Sequence, residues 1–451
     1  MEKEGNTINI EIREKVKLFL EKIKEKEVFI VSHFDTDGIT SAAIMIKTLK
    51  EIDKKFSIKI LKNLEREFIY SLPKDKLILF LDLGSGSLNH IANSGIPDIF
   101  IIDHHQIIQN IPENVHLINP EISNKQKISA SGLTYLFCKE INPKYKELAK
   151  LAILGMIGDT LEKEIDKINN GILNDSEIKR KRGALIYPST RPLNRALEYS
   201  SSPYIPGVTG DIKGVLELLR EAGLNPKENG YPSLLELTEE EMERLVTAII
   251  LRNPKAKNNE IIGDIYLIKF FNKLEDAREI SAKINACSRL GDTNAALQFC
   301  MEIPSIKKRA EAIHVKYKQY IVSALKFISE SEKINGKNFI IINAKDQIKE
   351  TIVGTVTSIL SNSKIYEEGT AIITLAHYDS TKIKVSARNV GKEGRNVREI
   401  LSIITEKFQG EVGGHEFAAG CLINRDQEQE FLTDLKKHLE IETIKIVNHN
   451  L

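Results

Sequence analysis

The sequence of 451 residues is 41% apolar, which is enough to form buried cores in two or three domains. Lys and Arg number 64 against 63 Asp and Glu, so the net charge of +1 gives no overall basic signal, and any binding of nucleic acid must use a local patch. The four scattered cysteines form no Cys-x-x-Cys pair, which argues against a zinc ribbon or a disulfide framework and fits a reducing cytosol.

At the start of the chain, residues 1–9 are mostly polar and contain no apolar signal core. No later stretch reaches the roughly 18 consecutive apolar residues of a transmembrane helix. We therefore predict a cytoplasmic protein that does not cross a membrane.

The first 160 residues alternate predicted helices and strands, with short helices between the strands. This pattern predicts β-α-β units and a mostly parallel sheet with helices on both faces. The predicted strands are 27–32, 56–61, 77–81 and 98–102, with a short edge strand at 115–118, and the main predicted helices are 10–26, 38–49, 129–140 and 145–157.

Residues 161–258 change character, because prolines become frequent and the helical patterns at 211–222 and 233–251 have polar faces. We predict a helical insertion or linker subdomain here. Its basic run, Lys179-Arg180-Lys181-Arg182, is favoured as a solvated surface, with contact to phosphate as the alternative.

A second, smaller α/β domain is predicted over 259–451. Its predicted elements are strands at 261–270, 339–342, 371–375 and 383–387, and helices at 305–331 and 396–406, followed by the segment Gly413-Gly414-His415.

Polar side chains follow several of the predicted strands in the first domain. The apolar run 99–102 ends in Asp103-His104-His105, the run 28–31 leads into His33, Asp35 and Asp37, and the run 77–81 ends in Asp82. Asp159 follows a fourth apolar run, 151–157. Ligand sites of open α/β sheets lie beyond the carboxyl ends of the strands. Acidic groups converging there repel one another unless a cation lies between them, so the pattern predicts a metal site.

Carboxylate and imidazole ligands without a thiolate suit Mn²⁺ or Mg²⁺ better than structural zinc. Several carboxylates with one or two imidazoles can hold two such ions about 3.5–4 Å apart. Two metal ions held in this way can activate water and stabilise an in-line displacement at phosphorus.

These motifs, taken in order, resemble those of DHH-family phosphoesterases, specifically archaeal RecJ-like exonucleases. The four matching motifs are His33-Phe34-Asp35-Thr36-Asp37-Gly38, Asp82, Asp103-His104-His105 and Gly155-Met156-Ile157-Gly158-Asp159. The C-terminal domain resembles the family's substrate-binding DHHA1 domain through Asn285-Ala286-Cys287-Ser288-Arg289, Ser386-Ala387-Arg388 and Gly413-Gly414-His415.

The resemblance implies a role for each matched residue. One Mn²⁺ would be held by Asp35 and Asp82, with His33 as an additional ligand. The other ion would be held by Asp37, Asp82, His104 and Asp159, with Asp82 bridging the two.

Asp103 would orient a histidine, and His105 would contact the scissile phosphate or assist the leaving oxygen. Arg289, Arg388, Gly413, Gly414 and His415 would bind substrate phosphates.

The implied function is an Mn²⁺-dependent exonuclease, with Mg²⁺ as an alternative cofactor, that hydrolyses single-stranded DNA or RNA to mononucleotides during DNA repair or replication. We expect 3′→5′ polarity, with 5′→3′ left open. One alternative is a phosphodiesterase of short oligonucleotides or cyclic dinucleotides. An alternative of another class is a non-catalytic scaffold of a replication or repair complex. The insertion is the expected surface for a protein partner, and an oligomer is left open.

Overall fold

The computed structural model describes residues 4–107, 109–122, 126–200, 203–254, 256–363, 365–408 and 412–441. The chain forms two compact units. The first comprises Met1–Arg182 and Asp264–Val315, and the second comprises Gly183–Gly263 and Lys316–Leu451. No helix among the described residues is both long enough and apolar enough to span a bilayer.

The N-terminal part of the first unit alternates strands and helices, as predicted. Its elements are α1 (Glu4–Lys22), β1 (Val28–His33), α2 (Thr36–Glu51), β2 (Phe56–Leu61), α3 (Arg66–Ser71), β3 (Leu77–Leu81), α4 (Leu88–Ala92), β4 (Ile99–Ile102), β5 (Val115–Ile118), α5 (Ala130–Ile141), α6 (Ala149–Gly158) and α7 (Lys167–Asp175).

Five of these strands form a parallel sheet in the order β2-β1-β3-β4-β5. Both faces of the sheet are covered, because alternate side chains of β3 enter different cores: Leu79 and Leu81 enter one, and Ile78 and Phe80 the other. This burial explains why the strands are continuous apolar runs. The predicted α/β class with a parallel sheet is confirmed, and β5 lies at the edge of the sheet as predicted.

The middle of the chain contains short helices and a small sheet. Its elements are β6 (Lys179–Ala184), α8 (Leu193–Glu198), α9 (Ile212–Glu221), α10 (Glu239–Arg252), α11 (Asn258–Ile261), β7 (Ile262–Phe270), β8 (Lys273–Asp276), α12 (Ala277–Arg289), α13 (Thr293–Cys300) and α14 (Lys307–Glu330). The basic run that begins at Lys179 is therefore the start of a strand. In this run, the Arg180 guanidinium lies 5.5 Å from the centre of the Tyr266 ring.

Residues 264–315 pack with the first unit, whereas the sequence analysis grouped them with the C-terminal domain. Helix α12 packs against α2 and α6. One contact joins α2 to α12 directly, since Thr36 Oγ1 donates a hydrogen bond to Ser281 O at 3.3 Å.

The second unit ends in a mixed six-stranded sheet with helices packed on it. Its elements are β9 (Ile334–Gly336), β10 (Phe339–Asn343), α15 (Glu350–Asn362), β11 (Ala371–His377), β12 (Lys382–Asn389), α16 (Val397–Glu406), β13 (Val412–His415), β14 (Ala418–Asn424) and α17 (Glu428–Glu440). The strand order is β13-β14-β12-β11-β10-β9; β10 and β11 pair in parallel and the other neighbours are antiparallel. The prediction of a second sheet domain is confirmed.

Candidate metal centre

The carboxyl ends of three neighbouring strands bring the predicted motifs together. The register pairs Ser32 of β1 with Leu81 of β3, and Leu81 with Ile102 of β4. The residues that follow these positions therefore meet at one edge of the sheet. The backbone continues the pairing by one residue, because Asp82 N donates to Ile102 O at 2.9 Å.

The side chains that could hold a cation form three overlapping groups: His33, Asp35 and Asp82; Asp82, His104 and His105; and Asp37, His104 and Asp159. The last two share His104 and together form the second group. In the first group, His33 Nδ1 is 3.0 Å from Asp35 Oδ2 and 3.2 Å from Asp82 Oδ2. Asp35 is also the N-cap residue of α2, where it accepts a hydrogen bond from Gly38 N at 3.1 Å.

The second group is centred on His104 Nε2. This atom is 3.4 Å from Asp82 Oδ1, 3.5 Å from Asp159 Oδ2 and 4.0 Å from Asp37 Oδ2. Asp82 thus offers one carboxylate oxygen to each group, which is the arrangement expected of a bridging ligand.

The start of α5 holds the side chain of Asp37 in place. Asp37 is fully buried and accepts hydrogen bonds from Ala130 N at 2.6 Å and Ser131 N at 3.0 Å. Two backbone donors at a helix N-terminus stabilise an ionised carboxylate. The space beside this carboxylate requires a glycine on α6, because a Cβ at Gly155 would lie 2.4 Å from Asp37 Oδ1.

Asp82 has an unusual backbone conformation for a residue that is not glycine. Its φ is 58°, in the left-handed region. Such strain is tolerated where the surrounding structure fixes the residue, and it is common at functional sites. Here it accompanies the placement of a buried carboxylate between two groups of ligands.

The protonation equilibria of this site reflect crowded negative charge. Burial and the charges of Asp35 and Asp37 raise the pKa of Asp82 well above its ordinary value. Burial and the charge of Asp37 likewise raise the pKa of Asp159. For His33, burial favours the neutral form, but the hydrogen bonds to Asp35 and Asp82 outweigh it and raise the pKa to about 10.

Two buried carboxylate oxygens of the site lack a hydrogen-bond donor within the part of the chain that the structure describes, which favours a bound cation. No described residue donates a hydrogen bond to Asp82 Oδ1 or to Asp159 Oδ2, although both atoms are buried. A buried carboxylate oxygen without a donor is costly unless a cation or an ordered water satisfies it. The donor set of carboxylate oxygens and imidazole nitrogens therefore fits Mn²⁺ or Mg²⁺.

Asp103 connects the third motif to a neighbouring loop. Its Oδ1 accepts from His105 Nδ1 at 2.7 Å and from His104 N at 2.8 Å, and its Oδ2 accepts from Ser85 N at 2.9 Å. Burial alone would raise the pKa of Asp103, but the hydrogen bond and charge of His105 and the hydrogen bonds from Ser85 together outweigh it and hold this pKa well below its usual range. An ionised Asp103 keeps the proton of His105 on Nδ1 and leaves Nε2 for another partner. The His105 side chain is 55% exposed.

Arg289 lies in the same compact unit as the metal ligands, at the end of α12. Its guanidinium is 5.4 Å from the centre of the Phe34 ring, and Phe34 directly follows His33 in the first motif. The structure therefore places this arginine beside the first motif, whereas it was predicted to lie in the C-terminal domain.

The other predicted substrate residues lie in the second unit. Arg388 is half-buried on β12, where its guanidinium donates to Ser358 Oγ at 3.1 Å and to Ala387 O at 2.8 Å. Gly413, Gly414 and His415 form most of the edge strand β13 and are exposed. His415 Nδ1 accepts a hydrogen bond from Phe417 N at 3.3 Å.

Asn119 and Ser85, two residues in the loops around the third motif, were not among the predicted site residues. Asn119 is fully buried directly after β5, and its Nδ2 donates to His105 O at 2.9 Å. A polar residue following an apolar strand was the signal that singled out Asp82, and the same signal was present at Asn119.

Three segments match known protein families. Residues 27–156 match the DHH family, N-terminal domain, residues 186–260 match the DHH-CID domain, and residues 336–440 match the DHHA1 domain.

Two relatives illustrate how far the similarity in sequence extends. Uncharacterized protein MJ0831 of Methanocaldococcus jannaschii is 29% identical over 442 residues, which cover 94% of this chain and 96% of that protein. Single-stranded-DNA-specific exonuclease RecJ of Haemophilus influenzae is 24% identical over 202 residues. This second match covers 38% of this chain and 34% of RecJ, so it spans about a third of that relative.

Solved structures share the fold over nearly the whole chain. Exonuclease RecJ bound to manganese superposes with a TM-score of 0.61 at 17% identity, covering 96% of this chain and 95% of that chain. CDC45 from Entamoeba histolytica superposes with a TM-score of 0.69 at 10% identity, covering 95% of this chain and 98% of that chain. At these identities the likeness shows the fold alone.

Proposed function

The chain belongs to the DHH family, and from this premise we propose that it is a divalent-metal-dependent exonuclease that hydrolyses phosphodiester bonds of single-stranded nucleic acid. The observation that carries the proposal is the position of Asp82, whose two oxygens face two separate groups of ligands. Every ligand position of the family motif set is filled in this chain, which supports catalysis as the function.

Two cations would share the site through Asp82. Asp35, Asp82 and His33 would hold one ion, and Asp37, Asp82, His104 and Asp159 would hold the other. When bound, such ions activate a water nucleophile and stabilise the charge that develops on phosphorus and its oxygens. We propose Mn²⁺ as the preferred ion and Mg²⁺ as an alternative.

The remaining residues would act on the substrate directly. His105, with its proton fixed on Nδ1 by Asp103, would present Nε2 to the scissile phosphate or to the leaving oxygen. Arg289 would bind a phosphate close to the first motif, since a guanidinium matches the geometry of phosphate oxygens. Arg388 and the strand Gly413-Gly414-His415 would contact phosphates from the second unit.

Single-stranded nucleic acid is the proposed substrate. The relative from Haemophilus influenzae is named as specific for single-stranded DNA, which supports DNA. RNA is proposed as a second substrate, with mononucleotides as products and 3′→5′ as the direction. Repair or replication of DNA is the proposed setting.

A scaffold in a replication complex is the second candidate. The segment 186–260 would then be the surface that a protein partner recognises. The intact ligand set around Asp82 favours catalysis over a scaffold as the main function.

The test is degradation of single-stranded DNA and RNA labelled at either end, with Mn²⁺, Mg²⁺ or EDTA. We expect metal-dependent release of mononucleotides, lost in Asp159→Asn, which keeps the side-chain shape but removes the ligand charge. Asp98→Asn is the matched control, because Asp98 forms ion pairs with Lys22 and Lys26 outside the metal site.

The labelled end that is released first gives the polarity, and substrates from two to thirty nucleotides separate an exonuclease from a phosphodiesterase of short oligonucleotides. Failure to cleave any substrate with any metal would refute the proposal and favour the scaffold.

A further inference from the structure

Asn119 uses its whole side-chain amide in the buried loops beside the metal centre. Its Oδ1 accepts from Glu121 N at 2.9 Å, and its Nδ2 donates to His105 O at 2.9 Å and to Ser85 Oγ at 3.0 Å. The residue has no exposed surface. An amide has two N–H donors, so both donors are committed here, one to each of two different loops.

These bonds close a ring through the third motif. Ser85 N donates to Asp103 Oδ2, and His105 Nδ1 donates to Asp103 Oδ1. Asn119 then joins the backbone of His105 to the side chain of Ser85. His105 is therefore fixed twice, at its ring by Asp103 and at its carbonyl oxygen by Asn119.

We propose that Asn119 is a positioning residue that fixes the His105 imidazole for the reaction through the hydrogen bond to the His105 carbonyl. This inference rests on the proposed function, in which His105 touches the substrate. Asn119 is fully buried, so it cannot touch the substrate. None of its three hydrogen bonds is to the side chain of a predicted metal ligand.

The position of the His105 imidazole is more restricted when both its ring and its backbone carbonyl are hydrogen-bonded than when Asp103 alone holds the ring. The His105 side chain is 55% exposed, so neighbouring packing restricts it little. Without the bond from Asn119, the loop would lose one of its anchors, and a displacement of about an ångström can lower a rate about 100-fold. Loss of a residue that hydrogen-bonds to a metal ligand typically costs about 10–100-fold, and we expect a similar range for a residue that holds a histidine in contact with the substrate.

The decisive experiment compares Asn119→Asp in two backgrounds, the natural protein and His105→Ala. The substitution keeps the size of the side chain and the acceptor for Glu121 N, and it removes the donors. We expect kcat to fall about 10–100-fold in the natural background with KM changed less than about twofold. In the His105→Ala background we expect a further fall of less than about twofold, because the group that Asn119 positions is already absent.

Asn169→Asp is the matched control in the same compact unit. Asn169 is 1% exposed, and its Nδ2 donates to the backbone oxygen of Lys127 at 2.7 Å. The Asn169→Asp variant therefore loses the same kind of buried hydrogen bond at a position outside the third motif. We expect its kcat to change less than about twofold in both backgrounds.

Two measurements do not depend on activity. Hydrogen exchange of the His104 and His105 amides, which both donate to Asp103 Oδ1, should accelerate about tenfold in Asn119→Asp and in the uncharged variant Asn119→Ala, but not in Asn169→Asp. Calorimetric affinity for Mn²⁺ should change less than about threefold, because Asn119 bonds to no ligand side chain.

Equal losses of kcat in both backgrounds, unchanged exchange, or a loss of Mn²⁺ affinity that parallels the loss of kcat would each overturn the inference. A natural protein that cleaves no substrate would instead refute the proposed function, and the exchange measurement would still decide whether Asn119 fixes the third motif.

Discussion

Replacement of Gly155 by alanine tests how tightly the second group of ligands is built. Gly155 lies on α6, and an added Cβ would be 2.1 Å from Ser131 Oγ, 2.4 Å from Asp37 Oδ1 and 2.6 Å from Thr40 Oγ1. These three atoms belong to the start of α5 and to α2, which together hold the Asp37 carboxylate. Relief of the clash requires either a shift of α6 or a displacement of Asp37 from its two backbone donors.

Both routes of relief lower stability. Forcing an extra methyl group into a packed core costs about 1–3 kcal/mol. Leaving a buried hydrogen-bonding group unsatisfied costs about 1–3 kcal/mol. Alanine gains about 1 kcal/mol over glycine in a helix interior, which offsets only part of either cost. After subtraction of this gain, we expect Gly155→Ala to lower the free energy of unfolding by up to about 2 kcal/mol and to weaken Mn²⁺ binding at least tenfold.

Urea unfolding in EDTA measures the first effect, and calorimetric titration with Mn²⁺ measures the second. Gly171→Ala is the matched control, because Gly171 lies within α7 and a Cβ there would meet no atom within 4 Å. That variant should gain stability by up to about 1 kcal/mol from helix propensity alone. A Gly155→Ala protein as stable as the natural one, with unchanged Mn²⁺ affinity, would refute the packing argument.

Three further predictions concern the ions and the substrate. Since the pKa of His33 is raised to about 10 in the metal-free protein, an ion must displace its proton below that pH. Mn²⁺ affinity should therefore rise with pH up to about pH 10. Calorimetric titrations in buffers of different ionisation enthalpy give the number of protons released per bound ion, and this number should be lower by up to one in His33→Gln. Equal numbers of released protons in the two proteins would contradict this prediction. Mn²⁺ at 100 times its Kd should raise the free energy of unfolding by about 2.7 kcal/mol, measured by urea unfolding, with Asp159→Asn showing a smaller gain. Arg289→Ala should raise KM for single-stranded DNA at least tenfold more than Arg309→Ala, whose side chain pairs with Asp292; equal effects would remove Arg289 from the substrate site.

The convergence of the predicted ligand side chains could be predicted from the sequence, because short apolar runs and the polar residues after them are visible without a structure. The position of Arg289 could not be predicted in the same way. Helix α12 carries the charged residues Glu279 and Lys283, which resemble a solvated surface in the sequence. In the structure both are buried, and Lys283 Nζ is 3.3 Å from Glu279 Oε1. Because these charged residues pair with each other in the interior, the polarity of the sequence does not show which face of the helix is buried.

Helix α15 shows a second limit of sequence reasoning. Its sequence is rich in Thr, Val and Ile, which favour strands, and it was absent from the predicted elements. The helix forms because Val353, Val356 and Leu360 share one buried face, and because it packs against β11 and β12. The segment Gly413-Gly414-His415 shows the opposite case, because it has little strand propensity of its own. Pairing with β14 makes it an edge strand.

The metal centre also explains why its ligands lie on so many separate elements. Asp37 is held by the start of α5, Asp82 by the turn after β3, and His104 by the loop after β4. Carboxylates this close together repel one another in the absence of a cation. Because each is anchored by its own backbone contacts, the fold can assemble without a cation. A cation bound as proposed would replace the protons that burial and mutual repulsion retain on Asp82 and Asp159.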